Sequence, residues 1–345
     1  MKTNTKASTL TRLNGAIIGL LIGTIANATG QSTVTFTNGQ LFIDTPDGDQ
    51  NIKFLVGSNP GQTQVFGVPG LADGIAYTGV RAINLVTGAD FDKVEFDVVS
   101  AQSLAISSDT AVGQAETKVQ WKVAPGTARS INSLALRSAV GATKAELDFT
   151  SEAQNTEFTW TANSGTGNAE VKGGIDFKAP GRRGIGNVGF NLGEGNHLVS
   201  VEVDSEVRNT TLNIDAGNAA ETNVKVVSDD PSDFLGLTFN ARAPKTVLEM
   251  ISSAAICNMD VTGTHLSAFN EMKYGLSQIR PGKVSAFYDL QTAAGGDKIE
   301  ANISAPGSKV VLDGSVRTGA GDDFTHFNSS ALSTVVGLDL TRWRW

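Results

Sequence analysis

Val316-Arg317-Thr318-Gly319-Ala320-Gly321-Asp322-Asp323-Phe324-Thr325-His326-Phe327 enters a glycine-rich acidic turn as one alternating stretch and leaves it as another. The pattern returns in Leu85-Val86-Thr87-Gly88-Ala89-Asp90-Phe91-Asp92-Lys93-Val94 and in Phe190-Asn191-Leu192-Gly193-Glu194-Gly195-Asn196-His197-Leu198-Val199. It returns again in Leu212-Asn213-Ile214-Asp215-Ala216-Gly217, which runs on to Val224-Lys225-Val226. The first apolar residue after each turn gives the series Ile52, Val94, Val119, Leu147, Val171, Val199, Val224, Val247, Ile299 and Phe324. Most steps are about 25 residues, a period that marks stacked repeats.

Alternation puts Val, Ile, Leu and Phe on one side of each strand and Lys, Glu, Asp and Thr on the other. One such unit cannot bury its apolar side alone. Stacking the next unit about 4.8 Å above it makes a continuous core with laddered hydrogen bonds. The expected fold is therefore all-β, a parallel β-helix (β-solenoid) with coils of about 25 residues. The rival is an antiparallel β-sandwich, or two of them, which also spaces strands and turns regularly. The solenoid is preferred because the turn itself recurs in sequence, not only its spacing.

The rest of the composition fits. The chain has 345 residues, 38 of them glycine, and 18% charged residues. Such a chain, poor in helix formers, reads as β structure with many turns. Residues 1–28 read as a secretory signal. Lys2, Lys6 and Arg12 are the basic region, Ala16 to Ile25 is a short apolar core, and Ala26-Asn27-Ala28 is a small-x-small cleavage site. A span needs about 20 apolar residues, so no membrane span is expected after cleavage. The formal charge is −8, and loss of the three basic residues leaves about −11. An acidic surface disfavours nucleic acid and favours divalent cations or basic partners. Cys257 is the sole cysteine, so no internal disulfide forms, and it reads as a small buried hydrophobe.

Three parts follow: the signal over 1–28, the solenoid over 29–331, and a C-terminal cap over 332–345. Irregular excursions are expected near 57–77, rich in Gly and Pro, and near 247–283, where Thr246 to Ile256 could form a short helix. Exposed strand edges at the ends need covering, and Trp343 and Trp345 suit the cap.

The Thr-Gly-Ala-Gly-Asp-Asp turn ending in Phe resembles the glycine- and aspartate-rich turns of degenerate hemolysin-type (RTX-like) repeat proteins of the bacterial secreted β-solenoid type. Asn38 to Ile52, with Asp44, Asp47 and Asp49, looks like an opening unit of such proteins. The resemblance implies a parallel β-roll with calcium in its turns. The sequence departs from the family in two ways. Its units are not tandem nonapeptides, and turns such as Ala139-Val140-Gly141-Ala142 and Ala241-Arg242-Ala243 lack acids. The coil shape is thus expected to carry over further than the calcium.

Calcium needs six to eight oxygens, largely carboxylates and carbonyls. Asp297, one coil before Asp322 and Asp323, is the first candidate group, and Asp90 with Asp92 is the second. The competing reading is an ordinary turn, in which Asp bonds its own backbone and Gly supplies positive φ. For carbohydrate, Arg182-Arg183 in a Gly-Pro loop could grip an acidic sugar bidentately, and Trp121 and Trp160 could stack on sugar rings. A solvated loop tip explains the arginines equally. His197, His265 and His326 are the three histidines. The solenoid places His197 about five coils from His326, so they share no triad, and each reads as a turn or surface residue. No nucleophile elbow, phosphate loop or zinc-protease motif is present in the sequence.

The expected function is a secreted, periplasmic or cell-surface scaffold, adhesin-like, whose partners are polysaccharide or other surface components, with weak calcium binding in the turns. The alternative is a carbohydrate-active β-helix enzyme of the polysaccharide lyase or glycoside hydrolase kind. An enzyme needs Asp, Arg and Lys from adjacent coils converging in a cleft, whereas a scaffold spreads its polar ladders evenly.

Overall fold

The computed structural model describes residues 31–57, 62–178, 183–205, 209–218, 220–228, 234–241, 245–252, 256–264, 269–277, 283–291 and 296–342. Residues 1–28, read above as a secretory signal, and Arg182, His265, Trp343 and Trp345 lie outside them.

The strands are β1 (Thr33–Thr37), β2 (Gln40–Asp44), β3 (Gln50–Val56), β4 (Thr63–Phe66), β5 (Ile75–Tyr77), β6 (Ala82–Ser100), β7 (Leu104–Val123), β8 (Ser130–Val140), β9 (Thr143–Ser151), β10 (Asn155–Thr166) and β11 (Ala169–Phe177). They continue as β12 (Arg183–Glu194), β13 (Asn196–Ser205), β14 (Asn209–Asp215), β15 (Glu221–Ser228), β16 (Phe234–Ala241), β17 (Lys245–Ser252), β18 (Ile256–Thr264), β19 (Phe269–Ser277), β20 (Lys283–Gln291), β21 (Lys298–Thr318) and β22 (Phe324–Arg342). No helix occurs among the described residues.

Each coil lays one strand on each of two sheets. The first sheet stacks β2, the start of β6, the start of β7, β8, β10, β12, β14, β16, β18, β20 and the ends of β21 and β22. The second stacks β3, the end of β6, the end of β7, β9, β11, β13, β15, β17, β19 and the starts of β21 and β22. All of these pairs are parallel, which settles the choice between a solenoid and a sandwich. Partners in adjacent coils are 23 residues apart at Ala82↔Ala105, 28 at Ala115↔Thr143 and 26 at Thr143↔Ala169. The turns absorb these unequal coil lengths, while the paired strands stay in continuous register.

Inward side chains of both sheets meet in one core. Phe149 and Phe158 stack at 3.8 Å, Trp121 packs edge-on against both, and Trp160 meets Phe190 at 4.8 Å. Trp121 and Trp160 are buried, so neither is placed to stack on a sugar. They serve the core because their alternating positions face inward.

Among the described residues, antiparallel strands appear at the N-terminal end only. β1 folds back on β2 through Asn38 and Gly39, both at positive φ, and β3, β4 and β5 form a meander over the excursion near 57–77. These strands cover the first coil's edges, which would otherwise recruit other chains. The stretch 247–283 departs from expectation. It carries β17, β18 and β19 in regular parallel register, and Lys245–Ser252 is a strand where a helix was expected. The β-branched residues and alternation of Thr246 to Ile251 outweigh its helical spacing of Val, Leu and Met. Up to Arg342, the stretch expected to cap the C-terminus is strand in register with β21.

Candidate functional site

The recurring turns line up on one edge, between the first and second sheets. Gly113, Gly141, Gly167 and Gly195 occupy corresponding positions there, with φ of 124°, 116°, 136° and 141°. Each lies against the carbonyl oxygen of the residue below. A Cβ added at Gly141 would sit 1.6 Å from Gly113 O, and one at Gly167 would sit 2.0 Å from Gly141 O. Asp90 is the foot of this column. It pairs with Gly113 and holds φ 99° without being glycine. The glycines recur because the coils approach too closely for a side chain.

The acids of this edge mainly brace backbone. Asp47 Oδ1 accepts the Ala89 N–H at 2.8 Å, and Asp49 Oδ1 accepts the Phe91 N–H at 3.1 Å. Asp323 Oδ1 accepts the Asp297 N–H at 3.3 Å. Register places Asp297 beside Asp323, not Asp322, whose residue is exposed on the turn. Among the described residues no three His, Cys, Asp or Glu side chains are grouped to hold a metal.

Just inside the edge runs a second column: Gln50, Asp92, Ala115, Thr143, Ala169, His197 and Thr222. Asp92 is fully buried. Burial raises its pKa, the Thr87 hydroxyl and the Gln50 backbone lower it, and Asp49 and Asp90 raise it further. Neither carboxylate oxygen meets a donor at full hydrogen-bonding geometry, so those two donors soften the cost of burial without removing it. The buried hydroxyls of Thr87 and Thr110 bond at 3.0 Å just above.

His197 is buried in the same column, contrary to its reading as a surface residue. The alternation that starts after Gly195 turns it inward. Its Nε2 lies 3.0 Å from Gly193 O, so this nitrogen carries the proton and donates. Burial lowers its pKa, against opposing backbone hydrogen bonds. The native state then holds neutral imidazole where the unfolded chain takes up a proton. Stability is complete above the ordinary His value of about 6.5 and falls as pH drops from there toward the lower native pKa. We expect His197→Asn to flatten this part of a melting-temperature profile between about pH 7 and pH 5. An unchanged slope would remove His197 as its source.

The outer surfaces of the two sheets differ. On the second sheet, Lys93, Glu116, Lys144 and Glu170 form one column, and Lys53, Glu95, Lys118, Glu146 and Lys172 the next. Charges alternate up each column and are paired across and along them: Lys53 with Glu95 at 3.7 Å, Lys93 with Glu95 at 3.1 Å, Lys144 with Glu116 at 3.7 Å and Glu146 at 3.0 Å, and Lys172 with Glu170. Hydrogen bonds from Lys93 and Lys144 hold the Glu95 and Glu146 carboxyls below the ordinary range. Each exposed pair contributes little, and the alternation of buried side chains sets the register in which they meet. The first sheet instead presents Ser107, Ala135, Thr161, Gly189, Asn213 and Thr238 in one column, and Asp109, Arg137, Asn163, Asn191, Asp215 and Asn240 in the next. Arg183 begins β12, six residues before Gly189, at the opposite edge from the glycine turns.

The fold and these surfaces define a two-faced parallel β-solenoid. No family model matches the chain, and neither a curated protein nor a solved structure matches it.

Proposed function

We propose that this protein is an exported, non-enzymatic scaffold of the cell surface or extracellular space, adhesin-like in its use of a long repetitive surface. The observation that carries the reading is the even spread of polar ladders over both outer sheets. On the second sheet every acid of the central columns is answered by a neighbouring lysine, so none is set apart as an acid–base pair. The leader-like residues 1–28 supply the expectation of export. Expression of the full chain followed by fractionation and N-terminal sequencing tests it. Recovery outside the cytoplasm with a new N-terminus after Ala28 supports export, and retention inside with Met1 intact rejects it. Polysaccharide cleavage by the purified chain would reject the non-enzymatic part.

Weak calcium binding in the turns is part of the same reading. The register that brings Asp297 beside Asp323, near exposed Asp322, supports it at one end, and the like charge that Asp49 and Asp90 bring to buried Asp92 supports it at the other. Few carboxylates per turn imply millimolar affinity, as in extracellular modules. At about ten times such a Kd the melting temperature should rise by a few degrees, from about 1.4 kcal/mol of added stability. Chelator should reverse the rise, and Asp297→Asn with Asp323→Asn should abolish it at that end. No shift in 10 mM calcium, roughly that excess, eliminates calcium from the proposal.

A further inference from the structure

The first sheet carries a shallow groove of about 450 Å³ whose lining includes Thr161, Asn163, Gly189, Asn191, Asn213 and Asp215. It exists because Gly189 interrupts an outward column. An added Cβ there would meet only Thr161 Cγ2, at 3.8 Å, and the backbone is not in the left-handed region. Neither packing nor conformation requires this glycine, unlike the column at the turns. What glycine provides at 189 is open space between polar side chains.

Those side chains form a grid, about 4.8 Å between coils and about 6.8 Å between alternate residues of a strand. Asn163, Asn191 and Asn213 are exposed, and Thr161 is half-buried. Asn240 reaches Asp215 at 3.5 Å, and Asp215 also accepts the Gly217 N–H at 3.0 Å. Amides and hydroxyls both donate and accept. Among the described residues no lysine or arginine lines the groove, and their one charge, Asp215, is negative. Arg137, in the same column two coils below Asn191, is 3.7 Å from Asp109. Among the described residues an anionic ligand thus meets a carboxylate and no cation.

The geometry points to a binding site for an uncharged, hydroxyl-rich polysaccharide, laid across the first sheet over Gly189. This rests on the surface-scaffold reading and gives it a ligand class. It also moves the expected carbohydrate contact away from Arg182 and Arg183 and from acidic sugars. Hydroxyls of a neutral glycan match a donor–acceptor grid, and its flat, repeating chain matches a flat, repeating sheet.

The test is affinity electrophoresis of the full chain in gels containing dextran, hydroxyethylcellulose or polygalacturonate, with Gly189→Val, Asn191→Ala and Asn213→Ala beside the wild type. Valine suits an extended strand and fills the groove. The wild type should be retarded by at least one neutral polymer and not by polygalacturonate. Gly189→Val should weaken that retardation about ten-fold or more, and each Asn variant several-fold, as loss of one or two hydrogen bonds implies. Lys172→Ala, on the opposite sheet, should leave it unchanged. Thermal melting of each variant separates lost binding from lost folding. Retardation that survives Gly189→Val in a folded protein, preference for polygalacturonate, or no retardation by either neutral polymer overturns the site. If Gly189→Val still attaches to cells as the wild type does, the groove fails while the scaffold reading stands.

Discussion

Gly141→Ala is expected to destabilise the protein by about 4 kcal/mol, one of the two largest single effects the fold allows. Two costs combine. The backbone at φ 116° is strained for any residue with a Cβ, worth about 1–3 kcal/mol. The new carbon would also lie 1.6 Å from Gly113 O, a backbone atom that cannot swing aside. Separating two hydrogen-bonded coils to relieve that clash costs about 1–3 kcal/mol more. A domain stable by about 5–15 kcal/mol would lose a large share of its margin. Contacts in a solenoid are between neighbours, so the damage should begin locally. Hydrogen exchange should therefore speed up first in β7, β8 and β9, ahead of global unfolding in urea. Gly174→Ala is the control: nothing lies within 4 Å of its added carbon, and its unfolding free energy in urea should change by less than about 0.5 kcal/mol. Equal midpoints for the two variants would show that the glycine column does not hold the coils together.

The same column shows how far the sequence could be read. The turn sequence is legible because close approach forces glycine at one position in each coil, and that recurrence revealed both the winding and the stacked edge. The acids beside it were legible as residues but not as roles. Asp47, Asp49 and Asp323 bond the N–H groups of the neighbouring coil, a contact between residues 42 and 26 apart that no local pattern displays. The partner of Asp297 depended on a one-residue choice of register, and Asp323 rather than Asp322 fills it. His197 was misplaced for the same reason, since a shift of one residue exchanges inside for outside. The contrast between the two outer sheets lay in plain view as Lys and Glu in one set of strands and Asn and Thr in the other. It becomes a pattern only once the coils are in register.

Trp160→Ala is the second large effect, expected to cost about 3–5 kcal/mol. Trp160 is wholly buried on the first sheet, flanked in its column by Leu134 and Val188 and edge-on to Phe190. Across the core stands Gly173 on the second sheet. A Cβ at that position would lie 2.9 Å from the Trp160 ring and 2.7 Å from Leu147 O. The large residue and the small one share a single space, so truncating the tryptophan leaves a cavity that Gly173 cannot fill. Trp160→Phe should cost less, since it removes fewer ring atoms and also an indole N–H that has no hydrogen-bond partner. Gly173→Ala alone should cost about 1–3 kcal/mol through overpacking. In a Trp160→Leu background its cost should shrink by about 1 kcal/mol, because the ring it would strike is gone. The Leu147 carbonyl remains, so the compensation is partial. Urea unfolding of the four proteins in this cycle measures the coupling, and additive costs would show that the two sheets do not meet at this pair.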